Sequence, residues 1–212
     1  MNCEVIVLFD GYSTEFADGI MKANCSCVLI KCSKLIIVDT MTAWDGKKII
    51  QALASYKLKP EDIDYVICTH SHADHIGNNN LFLNAEHIVG YCVHKGETFY
   101  ENNIKNESYN LTENVKIVAT PGHTTDDITV FVQTIIDGKI ACVAITGDLF
   151  EKKEDIENPL LWKSLGMPEL QKTQSQMRAF VISESNFIIP GHGPMFIVTD
   201  NMRKLVRAQI IK

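Results

Sequence analysis

The chain has 212 residues, 46% of them hydrophobic and 22% charged, with a formal net charge of -6. That length fits one domain with a buried core, and that balance excludes a disordered or membrane-embedded chain. The negative charge offers no general attraction to phosphate backbones or anionic membranes, although a local basic patch is compatible with it.

The amino terminus, Met1-Asn-Cys-Glu-Val-Ile-Val, has no basic leader and only a short apolar run interrupted by Glu4, so neither an export signal nor a membrane span is expected. A cytosolic or nuclear location follows. Seven cysteines, an odd number at irregular spacing, read as reduced thiols. β-Branched apolar runs predict strands over 4–9, 27–31 and 35–38. Cys25 and Cys27 lie in an apolar strand-like run, where cysteine behaves as a small buried hydrophobe rather than as a metal ligand beside Cys32. Helical periodicity covers 46–56, with Asp45 as candidate cap, and a strand follows over 64–68.

Three more strands are predicted over 115–119, 128–136 and 140–146. Asp137-Gly138 between the last two is a strong hairpin signal, because a primed turn needs positive φ. The stretch 151–167, opening Glu151-Lys-Lys-Glu-Asp-Ile-Glu, reads as a long exposed loop. Helices are predicted over 168–184, from Pro168, and over 199–210, with Thr199 as candidate cap. Strands mixed with helices and joined by hairpins argue for an α/β (α+β) layered sandwich rather than a doubly wound sheet.

The strand at 64–68 runs into Thr69-His70-Ser71-His72-Ala73-Asp74-His75, four potential metal ligands in six residues. Imidazole and carboxylate suit zinc and iron. Three further positions, His123 in Pro121-Gly122-His123, Asp148 in Gly147-Asp148, and His192 in Pro190-Gly191-His192-Gly193-Pro194, each stand at a strand end beside glycine. Glycine lets the backbone turn sharply and bring a side chain onto a shared rim. His70, His72, Asp74, His75, His123, Asp148 and His192 are therefore read together as a metal site.

In these residues the sequence resembles the metallo-β-lactamase superfamily, whose pattern H-x-H-x-D-H, then H, D and H, it matches in full over nearly the whole chain. The resemblance implies a four-layer αββα sandwich, a single domain over 1–212 with no appended or inserted second domain. It implies that His70, His72 and His123 hold a first metal, that Asp74, His75 and His192 hold a second, and that Asp148 bridges them. Two zinc ions per chain are expected, because flavodiiron relatives place glutamate where His72 stands; iron or manganese stays open. Asp39 and Thr40 match the family's Asp-Thr-Gly segment, where the aspartate orients a metal-bound imidazole, and Met41 replaces the glycine. His87 and His94 fall outside the pattern and read as structural or solvated.

Two adjacent metals lower the pKa of a shared water and so imply a hydrolase. In this family Asp74 also orients that water and accepts a proton, which makes it the candidate catalytic residue. The segments Phe9-Asp-Gly-Tyr-Ser, Val38-Asp-Thr, Thr69-His-Ser-His-Ala-Asp-His-Ile-Gly-Asn, Ala119-Thr-Pro-Gly-His, Gly147-Asp-Leu-Phe-Glu and Ile189-Pro-Gly-His-Gly-Pro are similar to one animal branch of the superfamily. That branch is glyoxalase II-like in sequence and is assigned endoribonuclease activity on histone pre-mRNA, in cytosol and nucleus, as a homodimer. The resemblance implies RNA as substrate, with no membrane partner. Lys152 and Lys153 are candidate phosphate contacts, although a solvated charged loop is the simpler reading for both.

A glyoxalase II-like thioesterase or other small-molecule acyl hydrolase is the alternative, and a metal-binding protein without turnover is a third. Only 20 residues follow His192, too few for the appended helical domain of glyoxalase II. Only 43 lie between Asp148 and His192, too few for the inserted domain of specialised RNA nucleases.

Overall fold

The computed structural model describes residues 3–212; Met1 and Asn2, with which the amino-terminal segment discussed above begins, lie outside it. The chain opens with strands β1 Glu4–Phe9, β2 Tyr12–Ala17, β3 Ile20–Asn24, β4 Cys27–Lys31 and β5 Leu35–Val38, then helix α1 Gly46–Ser55 and β6 Tyr65–Cys68. Next come β7 Glu86–Val89, β8 Cys92–Lys95, β9 Thr98–Tyr100, β10 Tyr109–Asn110, β11 Val115–Ala119, β12 Ile128–Ile136 and β13 Lys139–Ile145. Helices α2 Leu160–Lys163 and α3 Gln171–Glu184, strands β14 Phe187–Ile189 and β15 Phe196–Ile197, and helix α4 Asp200–Ala208 follow.

One sheet has the order β1-β4-β5-β6-β7-β8-β9 and the other β10-β11-β12-β13-β14-β15, while β2 and β3 form a separate hairpin. Side chains alternate across each strand, so one strand feeds two cores. Val28 and Ile30 join Val130, Val132, Val143 and Ile145 between the sheets. Cys27 and Leu29 point the other way, into a core with Ile49 and Leu53 of α1. The second sheet sends Phe131, Cys142 and Ala144 outward against Val181 and Ile182 of α3 and Val206 of α4. Helix, sheet, sheet, helix is the resulting order of layers. Cys25 and Cys27 are fully buried in this packing, and burial pushes both thiols well up from their ordinary pKa.

Every strand expected from apolar runs forms, and Asp137-Gly138 turns β12 into β13 with both residues at positive φ. The hairpin β2–β3 was not expected, because Tyr12–Ala17 and Ile20–Asn24 are largely exposed and show no buried alternation. Its signal was Asp18-Gly19, where Gly19 has φ +71°. The predicted loop 151–167 is corrected: Lys153–Ile156 forms a 3-10 turn and Leu160–Lys163 a helix, with Glu151, Asp155, Ile156 and Trp162 buried. Asp155 is drawn inward by a buried arginine, Arg178 of α3, to which it is doubly bonded at 2.6 and 3.0 Å.

Asp45 is the N-cap residue of α1, as expected, but its side chain makes no capping bond; its carboxylate instead accepts from Asn24 and Lys48 at 2.8 and 2.6 Å. Thr199 does cap α4, its hydroxyl accepting from the Met202 amide at 3.3 Å. A Thr199→Ala variant should lose about 1 kcal/mol of stability, as cap removal ordinarily costs. Urea unfolding checks this, and an unchanged midpoint would show that α4 is held by packing alone.

Candidate metal centre

Strands β5 and β6 are parallel neighbours, as are β13 and β14, and β11 and β13 both pair antiparallel with β12. Their C-terminal ends carry Asp39, the His70–His75 segment, His123, Asp148 and His192, and these side chains meet on one rim. Two glycines make the meeting possible. Gly147 has φ +50° and a Cβ there would strike Thr69; a Cβ at Gly191 would strike Asp148 Oδ1.

One group consists of His70, His72, His123 and Asp148, each offering a ligand atom within 4.8 Å of the others. His72 Nδ1 lies 2.9 Å from His70 Nε2 and 3.1 Å from His123 Nε2. Asp148 Oδ2 is 3.7 Å from His70 Nε2 and 3.4 Å from His123 Nε2. Asp74, His75 and His192 form a second such group. His75 Nε2 is 4.0 Å and His192 Nε2 3.8 Å from Asp74 Oδ2. Asp148 belongs to this side too, with Oδ1 3.3 Å from His75 Nε2 and Oδ2 3.2 Å from His192 Nε2. The structure therefore brings all seven sequence-predicted residues together in two groups that share Asp148.

These residues fit a pair of metal ions. Ligands about 2.0–2.2 Å from a tetrahedral ion stand roughly 3.3 Å apart, the scale of the separations above. Three imidazole nitrogens converging on one another cannot all be satisfied by shared protons, since a neutral ring has one donor and one acceptor. His75 Nε2 and Asp148 Oδ1 are buried and, among the described residues, lack any hydrogen-bond partner. The carboxylates favour positive charge on the His75 and His192 side, whereas burial lowers the pKa of His70 and His123. Burial lowers the His75 and His192 pKa values, but Asp39 and Asp148 raise His75 well above its ordinary value and Asp148 lifts His192 to about 9. Burial would raise Asp148, yet His75 and His192 hold its carboxyl well below the usual range.

The rings are aimed from behind. Asp39 Oδ2 is 3.0 Å from His75 Nδ1, and its Oδ1 accepts from the Thr69 amide at 2.8 Å. Asp39 and Met41 have φ of +57° and +59°, so Met41 adopts the left-handed backbone that the family's glycine would take freely. His192 Nδ1 sits 3.0 Å from the Asn24 carbonyl, and His70 Nδ1 3.2 Å from Thr69 Oγ1. The loop bearing His123 is closed by Asp127, which accepts from the Gly122 and Thr124 amides at 3.1 and 2.7 Å. Burial pushes the Asp127 carboxyl up to about 7.

Sequence reasoning placed Glu151 in a solvated loop, but it is buried at the site. Its Oε1 is 3.6 Å from His123 Nδ1 and its Oε2 3.9 Å from His192 Nε2. Burial first, then Asp148, raises its pKa well above the ordinary glutamate value. The only sequence signal was its place in Gly147-Asp-Leu-Phe-Glu, three residues beyond Asp148.

The two groups open into a cleft of about 200 Å³ walled by Ser13, Met21, Ala23 and Leu165. His72 is exposed and the Asp74 side chain 23% exposed, so the ligand groups reach the surface there. Lys152 does not line the cleft; its Nζ donates to the Ser13 carbonyl at 3.4 Å, while Lys153 is exposed. His87 and His94 lie outside both groups and face each other across β7 and β8, ring centroids 5.3 Å apart.

The sequence pattern of the family described as Metallo-beta-lactamase superfamily matches residues 21–192. The chain is 36% identical over 197 residues to Metallo-beta-lactamase domain-containing protein 1 of Xenopus laevis, covering 92% of this chain and 81% of the relative. With the Homo sapiens protein of the same name it shares 32% identity over 77% of this chain, and spans only 59% of that relative. Among solved structures it is similar to a mutant of B. thuringiensis AiiA with N-decanoyl-L-homoserine bound at the active site, at 20% identity and TM-score 0.64, covering 91% of this chain and 92% of the other. At that identity the likeness is one of fold.

Proposed function

The chain belongs to the metallo-β-lactamase superfamily, a superfamily of metallo-hydrolases, and from that premise we propose that it is a two-metal hydrolase that cleaves RNA phosphodiesters. The observation that carries the hydrolase reading is the sharing of Asp148 between the two ligand groups. A bound metal pair supplies an activated water and positive charge beside the attacked group. The chain's own residues then have distinct tasks. Asp148 stands between the two sides, with Oδ1 against His75 and Oδ2 against His192, His123 and His70. Asp39 and the Asn24 carbonyl hold His75 and His192 with Nε2 facing inward. Asp74 Oδ2, at the open side, is the proton acceptor.

RNA is supported by the motif likeness, in segments from Phe9 to Pro194, to the animal branch to which endoribonuclease activity is assigned. It is also consistent with ligand groups that surface at His72 and Asp74, where a polymer strand can lie across the opening without being engulfed. The histidine at position 72 leads us to propose zinc as the metal, and the same likeness leads us to propose histone pre-mRNA as the substrate and a homodimer in cytosol and nucleus.

One observation favours a second reading. Among the described residues no lysine or arginine lines the cleft, and Met21, Ala23 and Leu165 give it an apolar wall suited to an acyl chain. The AiiA structure holds an N-acyl compound at its active site. A carboxylic ester, thioester or lactone is therefore the alternative substrate class.

Purified protein should be assayed side by side on a histone pre-mRNA fragment, a glutathione thioester and an N-acyl homoserine lactone, before and after chelation. RNA cleavage that disappears with the chelator and returns with zinc is the expected result. Turnover of the acyl substrates alone overturns the RNA reading, and turnover by exhaustively metal-free protein overturns the metal reading.

A further inference from the structure

We propose that Glu151 is a positioning residue of the metal centre, its Oε1 accepting the Nδ1 proton of His123 and so fixing the one imidazole of the buried set that no other described residue orients. The inference rests on the two-metal reading above. A neutral imidazole that offers Nε2 to a metal carries its proton on Nδ1, and that proton needs an acceptor when the ring is buried. Asp39 serves His75, the Asn24 carbonyl serves His192, and Thr69 Oγ1 lies against His70. His123 is buried and, among the described residues, its Nδ1 has no hydrogen-bond partner.

Glu151 Oε1 is also buried and also has no hydrogen-bond partner among the described residues, and the two orphaned atoms are 3.6 Å apart. A small rotation of either side chain closes that gap to hydrogen-bond length. Complementary orphans, donor facing acceptor, point to one interaction between them. The backbone of Glu151 is held at both ends: its amide donates to Asp155 Oδ2 at 2.8 Å, and its carbonyl accepts from the His192 amide at 2.7 Å. It therefore stands as a built part of the rim, tied to the loop that carries His192. Glu151 also groups with Asp148 and His192 as a possible set of ligand atoms. The orphaned His123 Nδ1 is what favours hydrogen bonding over direct ligation, because ligation would leave that donor unsatisfied.

The test compares wild type, Glu151→Ala and Glu151→Gln by zinc titration, by the absorption spectrum of the cobalt-loaded proteins, and by the NMR resonance of the His123 Nδ1 proton. Wild type should bind two equivalents and show a hydrogen-bonded Nδ1 proton. Glu151→Ala should weaken one equivalent by roughly 10–100-fold, the usual effect of losing an outer partner of a ligand. Glu151→Gln keeps an acceptor oxygen, so it should keep both metals while the His123 resonance shifts, a change that loss of packing alone would not produce.

If wild type binds no metal, the two-metal reading itself fails. If wild type binds two and neither the affinity in Glu151→Ala nor the resonance in Glu151→Gln moves, only the role of Glu151 fails. Complete loss of one equivalent in both variants overturns it as well, because Glu151 would then be a ligand. Should Glu151→Ala not fold, the resonance in Glu151→Gln decides alone.

Discussion

An Asp148→Asn variant is expected to lose at least roughly a hundredfold in kcat/KM, a drop already reached elsewhere when only an outer partner of a metal ligand is removed. The substitution keeps the side chain's shape but removes its charge and turns one oxygen into a donor. Oδ1 faces His75 Nε2 at 3.3 Å, while Oδ2 faces His192, His123 and His70 at 3.2, 3.4 and 3.7 Å. No rotamer of asparagine can present an anionic oxygen to both sides. Bound metal, measured by elemental analysis, should fall below two equivalents per chain. Thermal unfolding of the metal-free protein separates this from misfolding. Full activity with two metals bound would remove Asp148 from the bridging role.

An Arg178→Ala variant should lose about 3–5 kcal/mol of stability, the cost of leaving one member of a buried ion pair unpaired. Arg178 and Asp155 are almost wholly buried, at 1% and 0% side-chain exposure. The guanidinium also donates to the Leu149 carbonyl at 2.7 Å and lies 4.1 Å from the Phe150 ring centroid. The loop it anchors carries Asp148 and Glu151, so the damage should extend to the metal centre. Replacing both partners together, as Arg178→Met with Asp155→Leu, should recover most of the stability, because the buried charge is gone. Denaturant unfolding of the two single variants and the double variant measures the coupling. A loss below about 1 kcal/mol for Arg178→Ala, the scale of an exposed pair, would mean that packing on Trp162 and Phe150 holds the loop instead.

The seven candidate ligands were legible because four follow one apolar run within six residues and the other three each close an apolar run beside glycine, and such a pattern has few uses other than a rim of convergent side chains. The layered fold was legible for a related reason: β5 is apolar throughout and β4 up to its last residue, Lys31, as strands buried on both faces must be, whereas α1 and α4 carry one apolar stripe. The hairpin β2–β3 left no such mark, since its side chains are mostly exposed and backbone pairing, which any sequence can offer, defines it.

Glu151 and Asp155 were misread as solvated for a different reason. A charged residue is buried only where a partner meets it, and their partners, His123 and Arg178, lie 28 and 23 positions away along the chain. The sequence by itself determined which atoms can bind metal and the order in which strands deliver them, because ligand chemistry and hydrophobic periodicity are local. Only the tertiary structure decided which nitrogen of each imidazole faces inward, which carboxylate is shared and what stands behind His123, because those follow from contacts between distant loops.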